Sequence, residues 1–298
     1  MNEAPSNLDI IVFPEMTLNE FETAVEIPKV DDKVSPCVID DYSADNLVKK
    51  ISCAARSFRR YVVVNIVTKI KCPDEEMIEN EDPRSCKDRE DGFSYYNTNV
   101  VFDRDGILIS RYRKYNLFGE EVDKPFKPAM VVFDTDFGIK FGHFICFDLM
   151  FRRPALELVR MTDSSGFFKN LTDIIFTSMW FSELPFLTGV QVQQNWAHAN
   201  DVNLLAAGAN NPDFGSTGTG IYAGSYGSII SVMEGKAETK LYAATVPKKR
   251  ISNKNQRIQH KAIRYTKEEM KPLKLKRDQL DLYNLSFREL CCQIVSNK

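Results

Sequence analysis

Hydrophobic and polar positions change period along the chain, and each change marks an element. Asp9 to Phe13 is a short apolar run that stops at Pro14, the pattern of a buried strand. From Ala44 to Arg59, apolar residues fall at Leu47, Val48, Ile51, Ala54, Ala55 and Phe58. That three-and-four spacing predicts an amphipathic helix, with Cys53 packed inside it. Tyr61 to Val67 is rich in β-branched residues and predicts a buried strand. Tyr95 to Phe102 and Ile107 to Tyr112 flank Asp103-Arg104-Asp105-Gly106, a hairpin signal. Met130 to Phe133 and Lys140 to Phe147 repeat the arrangement around residues 134–138. Asp173 to Thr177 predicts another strand and Thr188 to Asn200 a helix. Strands follow at Asn203 to Gly208, Gly220 to Ala223 and Ser228 to Val232, with Leu241 to Val246 as a candidate partner for the last. Helices early and hairpins late suggest helices layered over mixed sheet.

The length of 298 residues allows one large domain or two small ones. A hydrophobic content of 43% and a charged content of 27% are ordinary for a globular chain. The net charge of −2 exerts no global pull on nucleic acid or anionic membrane. No apolar stretch approaches the ~20 residues that a membrane span needs. The first seven residues carry neither a basic n-region nor an apolar h-region, so they do not read as a signal peptide.

From Lys248 the character changes. Lys248 to Asp278 holds twelve Lys or Arg against three Asp or Glu. Its single aromatic, Tyr265, gives base stacking little to work with, so a solvated linker or surface helix is the better reading. A short apolar stretch from Leu280 to Phe287 then leads to Cys291-Cys292.

There are seven cysteines. Cys72 and Cys86 bracket a polar segment rich in Asp, Glu, Asn and Pro, which reads as a surface loop. A disulfide across it suits an oxidising compartment, whereas two free loop thiols suit the cytosol. Asn170-Leu171-Thr172 and Asn284-Leu285-Ser286 are N-glycosylation triplets, of a kind that chance also produces in a chain this long. No Cys-x-x-Cys or His-x-x-x-His spacing occurs, and adjacent Cys291 and Cys292 cannot easily share one tetrahedral site. No metal or other cofactor is therefore expected.

Three residues could carry acyl-transfer chemistry. Cys146 ends the run Phe144-Ile145-Cys146, Glu15 follows Ile10 to Pro14, and Lys114 lies in Arg111-Tyr112-Arg113-Lys114. Taken singly, each has a bland reading: a packed cysteine, a solvated turn glutamate, a surface lysine. Taken together, they supply a nucleophile, a proton acceptor and an oxyanion stabiliser. Strand alternation puts Tyr112 and Lys114 on one face and Arg111 and Arg113 on the other, so Lys114 can point inward. A Cys-His pair is the competing arrangement. His143 lies three residues before Cys146, an odd offset that faces the two side chains apart, and His198 reads as a packed helix residue.

These stretches resemble the nitrilase (carbon–nitrogen hydrolase) superfamily, whose catalytic set is Glu-Lys-Cys. More narrowly, the chain resembles the vanin and biotinidase branch. The narrower likeness rests on Tyr96 to Asp103, Arg111 to Phe118, Phe133 to Gly138, Leu184 to Asn203 and Thr219 to Tyr222. The resemblance implies an α-β-β-α sandwich over residues 1–247, with residues 248–298 a basic linker and a remnant of a C-terminal domain. It implies that Glu15 deprotonates Cys146, protonates the leaving amine and later activates water. It also implies that Lys114 and the Phe147 N–H hold the oxyanion, with Glu121 as a supporting glutamate and Glu120 solvated. The implied substrate is a small linear amide: pantetheine first, a biotin amide such as biocytin second. A non-catalytic binding or structural role is the reading from a different class. Because vanins and biotinidase belong to the secretory pathway, the resemblance favours an extracellular setting, a Cys72–Cys86 disulfide and glycans on Asn170 and Asn284. Superfamily members place a strand and a helix before the strand that delivers the glutamate. Only eight residues precede Asp9, so the expected fold lacks that first strand and helix, and weak activity is expected of it.

Overall fold

The computed structural model of the chain describes residues 4–72, 90–160, 171–183 and 186–249. Two sheets form its frame. The first has the order β1 (Ile10–Val12), β2 (Tyr61–Lys71), β3 (Phe93–Phe102) and β4 (Leu108–Arg113). β1 and β2 are parallel, whereas β2, β3 and β4 are antiparallel neighbours. The second has the order β10 (Ser228–Val232), β9 (Thr219–Ala223), β8 (Asn203–Gly208), β7 (Asp173–Ser178), β6 (Lys140–Ile145) and β5 (Val132–Asp134). Its centre, β6 to β8, is parallel, and antiparallel strands flank it.

Period-two alternation sorts the side chains of each strand into two layers. On β2 and β3, Val62, Val64, Ile66, Val100 and Phe102 pack with Val48 and Ala55 of helix α1 (Leu47–Phe58) on the outer face. Tyr61, Val63 and Val101 turn the other way and meet Phe133, Phe141 and Ile175 of the second sheet. The outer face of that sheet packs Phe144, Ile174 and Phe176 against Leu158, Trp196 and Ala197. Those three residues belong to α2 (Glu157–Arg160) and α3 (Gly189–Asn200). The layers are therefore helix, sheet, sheet, helix, as expected.

Local chemistry explains the boundaries. The Asn46 side chain accepts hydrogen bonds from the Val48 and Lys49 N–H groups and starts α1, a cap worth about 1 kcal/mol. Asp103 Oδ1 accepts from the N–H groups of Asp105 and Ile107, each at 2.9 Å, and closes the β3–β4 turn. Gly106 there has φ +74°, and an added Cβ would lie 2.4 Å from the Ser52 carbonyl oxygen of α1. The tight hairpin thus lies directly on the helix.

Three expectations need correction. Cys53 is not merely packed: it forms a disulfide with Cys37, their Cα atoms 4.7 Å apart. Its side chain leaves α1 toward the preceding loop, which the helical period alone does not reveal. Residues 241–249 form no strand with β10; they run as irregular chain, with Lys249 Nζ donating to the Asp201 carbonyl at 2.7 Å. His198 is exposed on α3 rather than packed. Cys86, both glycosylation triplet asparagines (Asn170 and Asn284) and residues 250–298 lie outside the described residues.

Candidate active site

β1, β2 and β4 share one direction, because β3 is antiparallel to both β2 and β4. Glu15, after β1, and Lys114, after β4, therefore leave the first sheet at the same end. Parallel β6 and β7 likewise carry Cys146 and Met179 out of the second sheet together. The sequence-predicted Glu15, Lys114 and Cys146 converge between the two sheets, as the topology requires.

Glu15 is 2% exposed, Lys114 2% and Cys146 6%. Lys114 Nζ donates to Glu15 Oε1 at 2.8 Å and also to Glu120 Oε1. Breaking a buried pair by removing one partner typically costs about 3–5 kcal/mol, because the other charge is stranded. Burial by itself lowers the Lys114 pKa, but Glu15, the Cys146 sulfur and Glu120 outweigh it and hold the ammonium above its ordinary range. Burial raises Glu120, yet the Lys114 charge and hydrogen bonds from Lys114 and the Phe118 N–H pull it below the usual carboxylate range.

Cys146 opens a short 3-10 turn, Cys146–Met150, and has φ +46°. A non-glycine residue in the left-handed region is strained and persists only where its surroundings demand it. Here the strand ends on a sharp elbow whose tip is the thiol. Its Sγ–H points at the Met179 carbonyl at 3.8 Å. Burial pushes the thiol pKa well up, the Glu15 charge adds to that, and Lys114 opposes it. The sulfur thus sits beside both a carboxylate and an ammonium, which pull its pKa in opposite directions.

The residue after the elbow, Phe147, is half-buried, and its ring meets Phe118 and Phe151. Asp148 below the elbow is fully buried. Its Oδ2 accepts from Tyr112 Oη at 2.7 Å and Ile145 N at 3.2 Å, and its Oδ1 from Asn116 N at 2.9 Å and Asn116 Nδ2 at 2.8 Å. One carboxyl thereby pins the segment bearing Lys114 to the turn bearing Cys146. Burial pushes its pKa up to about 6, against the pull of the Asn116 and Tyr112 hydrogen bonds.

A ladder of amides backs the site. Asn97 Nδ2 donates to Glu15 Oε1 at 2.7 Å and to Glu120 Oε1 at 3.2 Å. Asn65 Nδ2 donates to Asn97 Oδ1 at 2.7 Å and Asn99 Oδ1 at 3.1 Å, while Asn65 Oδ1 accepts from Met16 N at 2.9 Å. Thr177 Oγ1 reaches Asn99 Oδ1 from the second sheet at 2.7 Å. Met179 N donates to Glu15 Oε2 at 2.6 Å. None of these groups stands out as a single residue in the sequence. The available signal was Asn65 inside the apolar run of β2 and Asn97 and Asn99 at alternate positions of β3.

The expectations for Glu121 and Glu120 change. Glu121 is exposed, and it is Glu120 that contacts Lys114. The loop after Lys114 turns through Gly119, at φ +79°, so that Glu120 folds back while Glu121 faces out. The Trp180 and Tyr222 side chains are core: Trp180 Nε1 donates to Leu187 O at 2.8 Å, and Tyr222 Oη to Gln193 Oε1 at 3.0 Å. His143 lies between the sheets, 2.8 Å from Ser110 Oγ, and does not serve Cys146. A groove of about 570 Å³ along β1, β8, β9 and residues 240–248 contains none of Glu15, Lys114 and Cys146. It lacks their chemistry, which leaves the buried cluster as the candidate site.

The family described as Carbon-nitrogen hydrolase matches residues 2–164. The chain belongs to the carbon–nitrogen hydrolase family. It is similar to Vanin-like protein 1 of Drosophila melanogaster, with 46% identity over 250 residues, 83% of this chain and 42% of that protein. Vanin-like protein 2 of Drosophila melanogaster is 43% identical over 263 residues, 85% and 48% of the two chains. Biotinidase of Homo sapiens is 34% identical over 233 residues, 74% and 40%. The chain spans less than half the length of these curated relatives. Among the described residues, no helix of this family member is long and apolar enough to cross a membrane.

Proposed function

We propose that this carbon–nitrogen hydrolase family member cleaves a linear amide through a thioester on Cys146. The observation that carries the reading is the buried convergence of Glu15, Lys114 and the strained Cys146 elbow. Glu15 takes the thiol proton as sulfur attacks the amide carbonyl carbon. The resulting oxyanion is held by the Lys114 ammonium and the Phe147 N–H. Collapse breaks the carbon–nitrogen bond, and Glu15 returns the proton to the departing amine. Water, deprotonated by Glu15, then splits the thioester to carboxylate and thiol. Lys114 stays charged throughout, which its raised pKa supports.

Pantetheine, giving pantothenate and cysteamine, is the substrate favoured by likeness to vanin-like proteins. Biocytin is the second reading, supported by the 34% identity to biotinidase. Assay of both amides with wild type and Cys146→Ala tests the proposal. Release of cysteamine or lysine by wild type alone supports it. Equal release by both proteins refutes the role of Cys146, and release by neither supports a non-catalytic binding or structural role.

An oxidising, extracellular compartment suits the cysteine chemistry. Cys37 and Cys53 are bonded, and Cys72 is disulfide-bonded as well. We assign Cys86 as the partner of Cys72. Non-reducing peptide mapping of protein made through the secretory pathway should recover a linked Cys72–Cys86 peptide. Free thiols at both positions would defeat the pairing.

A further inference from the structure

The mechanism leaves unused a set of phenyl rings attached to the segments that carry the site. Phe118 is 50% exposed, Phe181 40% and Phe151 38%. They form one patch: the Phe118 ring meets Phe147 edge-on at 5.0 Å and stacks with Phe181 at 6.1 Å, the planes 23° apart. Phe147 in turn meets Phe151 at 5.0 Å. Each ring is fixed close to the chemistry by its own backbone. Phe147 follows Cys146. The Phe118 N–H donates to Glu120, which holds Lys114. Phe181 lies two residues beyond Met179, whose N–H holds Glu15.

Contiguous exposed apolar surface is usually covered by something in use. Here the patch borders the nucleophile, so whatever lies on it also lies beside the scissile bond. Phenyl faces select flat or apolar groups by stacking and burial, and they offer nothing to a hydroxyl. We infer that Phe118, Phe181 and Phe147 form a specificity subsite that takes an apolar group flanking the amide. This inference deepens the proposed amide hydrolase and rests on that reading.

Binding can be measured without turnover on Cys146→Ala protein, by calorimetry. Two matched pairs place the flank on either side of the amide: hydrocinnamamide against 3-hydroxypropanamide, and N-phenethylacetamide against N-acetylethanolamine. At least one phenyl member should bind roughly tenfold tighter than its hydroxyl partner. Phe118→Ala and Phe181→Ala should each collapse that preference, and Phe118→Tyr should retain it. Equal affinity within both pairs, or a preference that survives both alanine variants, overturns the subsite. If the alanine variants leave the preference intact but abolish self-association on gel filtration, the patch is an interface between copies and the subsite is wrong. Turnover of the same amides by wild type separates the two claims. A phenyl preference in binding without hydrolysis refutes the amidase reading and keeps the subsite, whereas hydrolysis without a preference does the reverse.

Discussion

Asn97 hands one amide group to two carboxylates: its Nδ2 lies 2.7 Å from Glu15 Oε1 and 3.2 Å from Glu120 Oε1. Both acids also bind Lys114. Asn97 is thus a positioning residue that sets where the base and the ammonium meet. Asn97→Ala should lower kcat by roughly 10- to 100-fold, the cost of a loosely held base, and change KM much less. Asn97→Asp should cost more, because it adds a third carboxylate beside the pair. Steady-state kinetics on the preferred amide measure both. Equal kcat in Asn97→Ala and wild type would remove the positioning role.

Glu120 and Glu121 are neighbours in sequence and differ in setting. Glu120→Gln should weaken the hold on Lys114 and lower kcat/KM by about 10²-fold, the scale of losing one oxyanion-site contact. Glu121→Gln should leave kcat/KM within about twofold, as surface changes generally do. The reverse pattern would restore Glu121 as the supporting acid.

The charge of Glu15 raises the thiol pKa of Cys146, while Lys114 lowers it. Glu15→Gln removes the raising charge and keeps the lowering one. This variant should therefore alkylate faster with iodoacetamide at neutral pH than wild type does, although amide hydrolysis is lost. The rate of carbamidomethylation at Cys146, followed by mass spectrometry, checks this. Slower alkylation than wild type would mean that proton acceptance by Glu15 outweighs the effect of its charge on the thiol.

Burial pushes the His143 imidazole down to about 3 from an ordinary 6.5. Between those values the unfolded chain binds a proton that the folded chain refuses. His143 therefore makes its full contribution above pH 6.5, and that contribution is lost as the pH falls toward 3. His143→Gln removes the titration and retains a nitrogen for Ser110. From pH 7 to pH 4, wild type should lose about 3 kcal/mol more stability than the variant. Urea unfolding at the two pH values measures the difference. Parallel losses in the two proteins would contradict it.

Strand-scale patterns were the most legible part of the sequence. The periods of β2, β8, β10 and α1 are carried by their own residues, and the inward turn of Lys114 follows from alternation through Tyr112. Contacts between distant segments were less legible. The Cys37–Cys53 disulfide joins a loop to a helix face, and nothing in the spacing of seven cysteines selects that pair. The choice of Glu120 over Glu121 depends on how the loop turns at Gly119, below the resolution of residue pattern. The asparagine ladder was visible as polar interruptions in apolar strands, but its meaning needed both sheets in place. Leu241 to Val246 looked like a strand by composition, yet the chain there runs irregularly and is tied down just beyond it through Lys249 at Asp201.

The proposed mechanism stands or falls with an acyl group on Cys146. Acid quenching within the first turnover with pantetheine, followed by intact-protein and peptide mass spectrometry, tests it most directly. A pantothenoyl mass addition is expected on the peptide containing Cys146, absent from Cys146→Ala, with cysteamine released in step. Cysteamine release with no adduct in wild type, or undiminished release from Cys146→Ala, would contradict it.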